Sequence, residues 1–155
     1  EGLITAKRNG KITILNPAPA TELPKEVFEV CDYITPNETE AEAITGLPVR
    51  NEAEAESAAQ SLAGLGVKTP IITMGEQGAF LFGYGMVSAY EAGPVVETTG
   101  AGDAFNGAFA VALSEGKSAV DAVRFGCATA AISVTRPGAA SSMPTRDEVE
   151  QLLRD

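Results

Sequence analysis

The chain has 155 residues, which suits one domain, and its formal net charge of −10 makes nucleic acid an unexpected partner. The sequence contains no run of about 18 apolar residues, so no membrane-spanning helix is predicted. The absence of histidine excludes Ser-His-Asp catalysis and histidine-ligated zinc. The two cysteines, Cys31 and Cys127, lie far apart and outside any CxxC pair, so we expect no disulfide framework and a cytoplasmic location.

Strand-like alternation and helical periodicity follow one another along the chain, with proline and glycine at the breaks. In order, we expect a helix end at residues 3–7, a strand at 11–16, a helix at 22–30, a strand at 32–35, helices at 37–46 and 51–65, a strand at 70–74, a hairpin of 79–82 and 86–90, and helices at 102–113, 118–133 and 145–153. This alternation predicts an α/β layered sheet with at least one antiparallel excursion.

The first residues read as the end of a helix that stops at Asn9 and Gly10, with no capping residue before it. We therefore expect the chain to begin inside a larger protein. An inner strand left unpaired on that side would be an aggregation hazard, which predicts oligomerisation, a partner fragment or low stability.

Two phosphate-binding patterns are only partial matches. Gly116-Lys117-Ser118 ends like a P-loop, but Val111 stands where the first glycine is required, and the tripeptide lies between two helices. The paired glycines at 83 and 85, and at 100 and 102, lack the third glycine of the dinucleotide fingerprint. Neither pattern predicts a site.

The stretch ETTGAGDAFNG at residues 97–107 is more informative. Gly100 and Gly102 let the backbone approach an anion at a helix N-terminus, where amide donors are unpaired. Asp103 on the same turn could accept a proton from an attacking hydroxyl, as in phosphoryl transfer. Asp103 could equally be a simple helix cap, and the spacing alone favours neither interpretation.

Two further stretches follow predicted strands, where ligands bind in open α/β sheets. Thr73, Gly75 and Gly78 leave a buried strand, and taken alone they would make an ordinary tight turn. Asn37 and Glu40 could form a capping box, or could order magnesium-bound water near phosphates.

Taken together, these motifs resemble the C-terminal half of the ribokinase-like sugar kinases of the PfkB family. Residues 97–107 match the family signature D-T-x-(A/G)-(A/G)-G-D-x-F-x-G except at the first place. The other matching segments, in the family's order, are NPAPA at 16–20, PNETEAE at 36–42, TMGEQG at 73–78 and VTRPGAASSMP at 134–144. The resemblance covers essentially the whole chain. It implies a three-layer αβα ribokinase-like sheet, mostly parallel, with residues 1–155 as the C-terminal nucleotide-binding and catalytic portion.

The resemblance also implies a role for each matching residue. Asp103 would be the catalytic base that deprotonates the sugar's primary hydroxyl, and the amides of Gly100, Ala101 and Gly102 would form the anion hole. The residues implied at the ATP and Mg²⁺ site are Asn37, Glu40, Thr73, Gly75, Gly78 and Cys127, the last at a place where relatives often carry Asn or His.

A potassium ion beside the anion hole is the third implied ligand. Its residues would be Glu97, Thr99, Ser133, Arg136, Gly138 and Ser142, several acting through backbone carbonyls. Glu97 departs from the family's aspartate, and its longer side chain moves the carboxylate.

The expected reaction is ATP-dependent phosphorylation of a sugar, with D-ribose to D-ribose 5-phosphate favoured by the NPAPA, NETEAE and TRPGA segments. Fructose, 2-keto-3-deoxygluconate or a nucleoside is an alternative substrate, and a catalytically silent nucleotide-binding fragment is an alternative of another class. In the family the sugar is held mainly by the N-terminal half and its lid, so the chain alone is expected to be inactive. The full-length parent is expected to be a homodimer.

Overall fold

A computed structural model of the chain describes residues 1–154. Within them the α-helices are α1 Gly2–Arg8, α2 Lys25–Glu29, α3 Glu38–Thr45, α4 Glu52–Gly64, α5 Ala101–Ser114, α6 Ala119–Ser133 and α7 Arg146–Leu152. The strands are β1 Ile14–Leu15, β2 Tyr33–Ile34, β3 Thr69–Thr73, β4 Gly78–Leu81 and β5 Gly85–Ser88. Every predicted helix and strand is present, so the predicted order of elements is confirmed.

The five strands form one sheet in the order β1-β2-β3-β4-β5. The first three are parallel, with Tyr33 of β2 opposite both Ile14 and Thr69. Residues 74–77 and 82–84, which join the last three strands, are too short for a parallel crossover and permit only antiparallel neighbours. The sheet is therefore mixed, and the expectation of a mostly parallel sheet is wrong.

The first two strands are shorter than predicted, and at their starts side chains hydrogen-bond to the backbone beside the ladder bonds that the Thr13 carbonyl accepts. The Thr13 amide donates to Asp32 Oδ2 at 3.0 Å, and the Thr13 hydroxyl donates to the Val30 carbonyl at 2.5 Å. Burial alone would raise the pKa of Asp32, but hydrogen bonds from Lys7 and Thr13 outweigh it and hold the pKa below its usual value. Alternation along the chain cannot reveal these contacts.

The described residues divide into two compact units, the first made of residues 1–74 and 80–86 and the second of residues 75–79 and 87–154. In the first unit α3 and α4 pack on β3. Its core is lined by alanines of α4 and by larger side chains, chiefly Phe28, Ile34, Leu62, Ile72, Met74 and Phe80.

In the second unit α5 and α6 form the main helix pair. Gly126 makes their close approach possible, because a Cβ there would lie 2.8 Å from the Phe105 ring. Phe105 and Phe109 stack with ring centroids 6.0 Å apart. The last helix, α7, packs against α6, and Arg146 at its start lies over the Phe125 ring.

None of the helices found in residues 1–154 is both long and apolar enough to cross a membrane. Two short 3₁₀ helices, Gly75–Gln77 and Ala140–Ser142, were not predicted. Both are only three residues long, which is too short for helical periodicity to give a signal.

Candidate functional site

The start of α5 is built on a glycine in a left-handed conformation. Gly100 is the N-cap residue, with φ +81° and no side chain to cap the helix. A Cβ on Gly100 would lie 3.2 Å from both Cα and Cβ of Ala139, so a neighbouring segment closes over this turn. Gly102 differs, since a Cβ there would meet no atom within 4 Å. Packing therefore explains the glycine at position 100 but not the one at position 102.

Asp103 is the third residue of α5, and its side chain is exposed. It does not cap the helix, because Gly100 occupies the N-cap position. Among residues 1–154 its carboxylate makes no hydrogen bond or ion pair, and the amides of Gly102 and Asp103 make no backbone hydrogen bond. The Ala101 amide donates to the Thr98 carbonyl at 3.2 Å. The first turn of α5 thus presents free donors and a free carboxylate together.

Glu97 connects this turn to the segment that follows α6. Its Oε2 accepts a 2.8 Å hydrogen bond from the Gly138 amide, and Gly138 has φ +86°. The Gly138 amide and the Thr99 side chain hold the pKa of Glu97 below its usual value. The structure thus brings Glu97, Thr99 and Gly138 together, three of the residues predicted to surround a cation.

The other three predicted cation residues use their side chains locally. Ser133 is buried and its hydroxyl donates to the Ala130 carbonyl at 2.8 Å, while buried Ser142 donates to the Ala139 carbonyl at 2.7 Å. Arg136 pairs with Glu148 at 2.5 Å. In the described part of the chain, no group of three or more His, Cys, Asp or Glu is placed to hold a metal. Any ion here would need backbone carbonyls in addition to Glu97.

In the first unit the structure gathers Asn37, Glu40 and Thr73 at the ends of β2 and β3. Asn37 pairs with Thr73 in a parallel bridge. Asn37 Oδ1 accepts from the Glu40 amide at 2.8 Å, and Glu40 Oε2 accepts from the Asn37 amide at 2.9 Å. The capping box that the spacing allowed is confirmed, and the helix itself uses both side chains.

Gly75 and Gly78 border the 3₁₀ helix, and both have positive φ, +52° and +109°. A Cβ on Gly78 would lie 2.1 Å from the Val87 carbonyl oxygen and 2.6 Å from the Ala89 amide nitrogen. Glycine at position 78 is therefore required by close contact with β5 and the residue that follows it, whatever else it does.

Cys127 lies on the buried side of α6, and burial raises the pKa of its thiol to about 12. Tyr90 is close enough for its own pKa to be affected by this thiol, although burial is the larger cause of the rise. An open groove of about 430 Å³ is lined by Tyr90, by residues of α6 and by residues near it, namely Lys117, Asp121, Arg124, Phe125 and Leu153. None of the predicted site residues lines it.

Sequence reasoning assigned no role to three residues of the segment after α6 and the start of α7. They are Ala139 and Met143, which lie against Gly100, and Glu148, which pairs with Arg136. Ala139 and Met143 lie in the matching segment at 134–144, and Thr145 and Glu148 have the spacing of a capping box, which the structure contains. The pairing of Glu148 with Arg136 had no signal in the sequence.

The model of the pfkB family of carbohydrate kinases matches residues 1–146. The chain belongs to this family. It is 48% identical to the ribokinase of Haemophilus influenzae over 150 residues, which are 96% of this chain and 49% of that protein. It is 38% identical to the deoxyribokinase of Salmonella typhi over 151 residues, 95% of this chain and 49% of that one.

The fold is likewise that of a solved member. The structure of Arabidopsis thaliana ribokinase complexed with ribose and ATP superposes with a TM-score of 0.93 at 37% identity. That match covers 99% of this chain and 51% of the other. The chain thus spans about half the length of the relatives it matches.

Proposed function

We propose that the chain is the C-terminal nucleotide-binding and catalytic portion of a longer ATP-dependent sugar kinase, called the parent below. The parent would phosphorylate the primary hydroxyl of D-ribose. Family membership supports the reaction class, and the ribokinase relatives support the sugar. The portion described would contribute the machinery for phosphoryl transfer.

The first turn of α5 is the observation that carries this proposal. Asp103 is exposed and without a partner among the described residues, three positions after a left-handed glycine. A carboxylate that neither caps its helix nor forms an ion pair is available to take a proton from a substrate hydroxyl. We assign Asp103 the role of general base.

Gly102 supports the companion role of an anion hole. Glycine inside a helix costs roughly 1 kcal/mol relative to alanine, and no neighbouring atom here excludes a Cβ. A glycine kept at such a cost, with its amide free, fits a turn that an anion approaches closely. The amides of Gly100, Ala101 and Gly102 would stabilise charge on the transferred phosphoryl group. The Ala101 amide would have to leave its weak turn bond to Thr98.

For the nucleotide we propose the residues named from the family resemblance, with Asn37 and Glu40 near the phosphates. Their side chains are engaged in the capping box, so they would act on Mg²⁺ through water. Magnesium would supply charge neutralisation at the phosphates. Thr73, Gly75, Gly78 and Cys127 would line the rest of the site.

A potassium ion is proposed beside the α5 turn. Glu97, held by Gly138 and Thr99, supplies the negative charge, and backbone carbonyls near Ser133, Arg136, Gly138 and Ser142 would supply neutral oxygens. Such an ion would brace the anion hole from behind.

One specific observation favours a second sugar. A deoxyribokinase matches the chain over the same length as the ribokinases, at 38% identity. 2-Deoxy-D-ribose is therefore the second candidate, which keeps the same primary hydroxyl and lacks only the 2-hydroxyl.

The test is sugar-dependent ADP release by the purified parent with ATP, magnesium and potassium. D-Ribose, 2-deoxy-D-ribose, D-fructose, 2-keto-3-deoxygluconate and a nucleoside are compared at equal concentrations. We expect D-ribose to give the highest kcat/KM, and the 155-residue chain alone to show only background ADP release. Ribose-dependent turnover by the chain alone would contradict its assignment as a portion without the sugar site. A parent inactive with all five substrates would refute the kinase proposal.

A further inference from the structure

Glu148, in the first turn of α7, joins two separate segments. Its Oε1 lies 2.5 Å from Arg136 Nη2. Its Oε2 accepts from the Thr145 amide at 2.7 Å and from the Thr145 hydroxyl at 2.9 Å. Arg136, followed by Thr145, holds the pKa of Glu148 at about 2, so the carboxylate is ionised at neutral pH. One side chain thus links the segment after α6 to the start of the last helix.

Residues 136–143, called the 136–143 loop below, lead from this ion pair to the start of α5. The Gly138 amide donates to Glu97 at 2.8 Å. Ala139 then lies against Gly100, so close that a Cβ on Gly100 would come within 3.2 Å of it. A shift of the loop would therefore displace Gly100, in the turn that precedes Asp103.

Inside the loop, two side-chain hydrogen bonds maintain its local shape. The Ser142 hydroxyl bonds to the Ala139 carbonyl at 2.7 Å, and the Ser141 hydroxyl bonds to the Pro137 carbonyl at 3.1 Å. Both bonds join one loop residue to another. The Arg136–Glu148 pair and the Gly138–Glu97 bond instead reach outside the loop, at its beginning.

We propose that Glu148 is a positioning residue for phosphoryl transfer, acting through Arg136 and the 136–143 loop to hold the Gly100 turn in place. The inference rests on the proposed function. Partly exposed ion pairs contribute little to stability, but a guanidinium held by a carboxylate has a defined orientation. The value of this pair is geometric, and Glu148 itself touches neither nucleotide nor sugar.

The chain offers a matched control on the same helix. Arg146 of α7 pairs with Glu115, just after α5, through two nitrogens. This is also an arginine–glutamate pair at α7, although Arg146 bonds to Glu150 as well, and within residues 1–154 it makes no hydrogen bond or ion pair to the 136–143 loop. Glu115→Gln removes one charge of an arginine–glutamate pair, as Glu148→Gln does. Glutamine also preserves the capping box at position 148.

The first experiment measures kcat, the KM for ATP and the potassium concentration for half-maximal activity in the parent and both variants. We expect Glu148→Gln to lower kcat about tenfold, since a displacement of ~1 Å can cost on the order of 10²-fold. It should also raise the potassium requirement, with little change in the KM for ATP. Glu115→Gln should match the parent in all three. Arg136→Gln and the double variant Arg136→Gln/Glu148→Gln are measured as well, and the double variant should be no slower than the slower of its two single variants.

The second experiment does not depend on activity. Amide hydrogen exchange at Gly138 is compared in the parent, Glu148→Gln and Glu115→Gln. We expect faster exchange only in Glu148→Gln, because only that variant releases the loop. If the parent has no kinase activity, this measurement alone decides the inference. Equal exchange in the two variants, or an unchanged kcat in an active Glu148→Gln parent, would overturn it.

Discussion

Two helix starts carry the polar residues that sequence reasoning singled out, and they are built in opposite ways. At α3, Asn37 and Glu40 bond to each other's backbone amides and complete a capping box. At α5, the N-cap is a glycine with no side chain, and Asp103 bonds to nothing within residues 1–154. Both start with a similar pattern of small and acidic residues, but only the first uses its polar groups to stabilise the helix.

This difference separates structural requirement from function. A side chain that satisfies its own helix has a sufficient reason to be present. At the α5 start the helix does not use the Asp103 carboxylate, so helix stability gives no reason for its presence. The unpaired amides of such a helix N-terminus favour the binding of an anion. The same contrast holds between Gly78, which packing requires, and Gly102, which packing does not.

The largest expected effect is on turnover at the α5 start. We expect Asp103→Asn in the parent to lower kcat by about 10²–10⁴-fold, the usual contribution of a general base. ATP binding and stability should stay close to those of the parent. Steady-state kinetics measures kcat, and nucleotide titration measures the affinity for ATP. Asp147→Asn is the control, since Asp147 is also an exposed aspartate in a first helical turn. Normal turnover in Asp103→Asn would remove the distinction between the two helix starts.

Gly102→Ala should change stability and turnover in opposite directions. Alanine in the first turn of α5 should raise the free energy of unfolding by about 0.5–1 kcal/mol. The added methyl group should crowd the anion and lower kcat at least about tenfold. Urea unfolding and kinetics test the pair of effects. Gly64→Ala in α4, also with open space around it, should leave turnover unchanged. A destabilised Gly102→Ala would mean that packing requires this glycine after all.

At the α3 start the expected effect is on stability. Asn37→Ala removes a cap and should lower the free energy of unfolding by about 1 kcal/mol. Asn51 caps α4 in the same way, accepting from the Glu54 amide at 3.0 Å, so Asn51→Ala is its control. If Asn37 also serves the nucleotide, its variant should lose more kcat/KM for ATP than the Asn51 variant. Equal kinetics in both would reduce Asn37 to a cap.

The smallest expected effect is that of the monovalent cation. Potassium should raise the parent's activity more than sodium, because Glu97 and nearby carbonyls would hold an ion that braces the α5 turn. Titrations of the two chlorides at constant ionic strength measure the difference. Glu97→Asp, which introduces the family's usual residue, should strengthen the potassium effect. Identical rates in both salts would mean that Glu97 has abolished the site.

Prediction from the sequence succeeded where a signal is local. Helices α3 and α4 were located by their helical pattern and by the glycines that follow them. It failed where partners are distant. Thr13 and Asp32, 19 residues apart, form side-chain hydrogen bonds at the starts of β1 and β2, and no periodicity reports such contacts.

The candidate site divides in the same manner. The sequence alone identified the glycine turn, its carboxylate and the capping pair, because each of these motifs lies within a few residues. The sequence could not show which of these residues are bound to neighbouring groups or required by packing. Whether Asn37 is engaged, whether Asp103 is free and whether Gly78 is required depend on atoms brought close by folding.

By itself, the sequence determined the order of elements, the family and the short motifs, since all three depend on neighbours along the chain. Only the tertiary structure decided the contact of Ala139 with Gly100 and the pairing of Arg136 with Glu148 across 12 residues. The physical reason is that these contacts depend on the path of the loop after α6 in three dimensions. A loop's course follows from the packing of the elements it joins, and the loop's own residues carry no periodic signal of it.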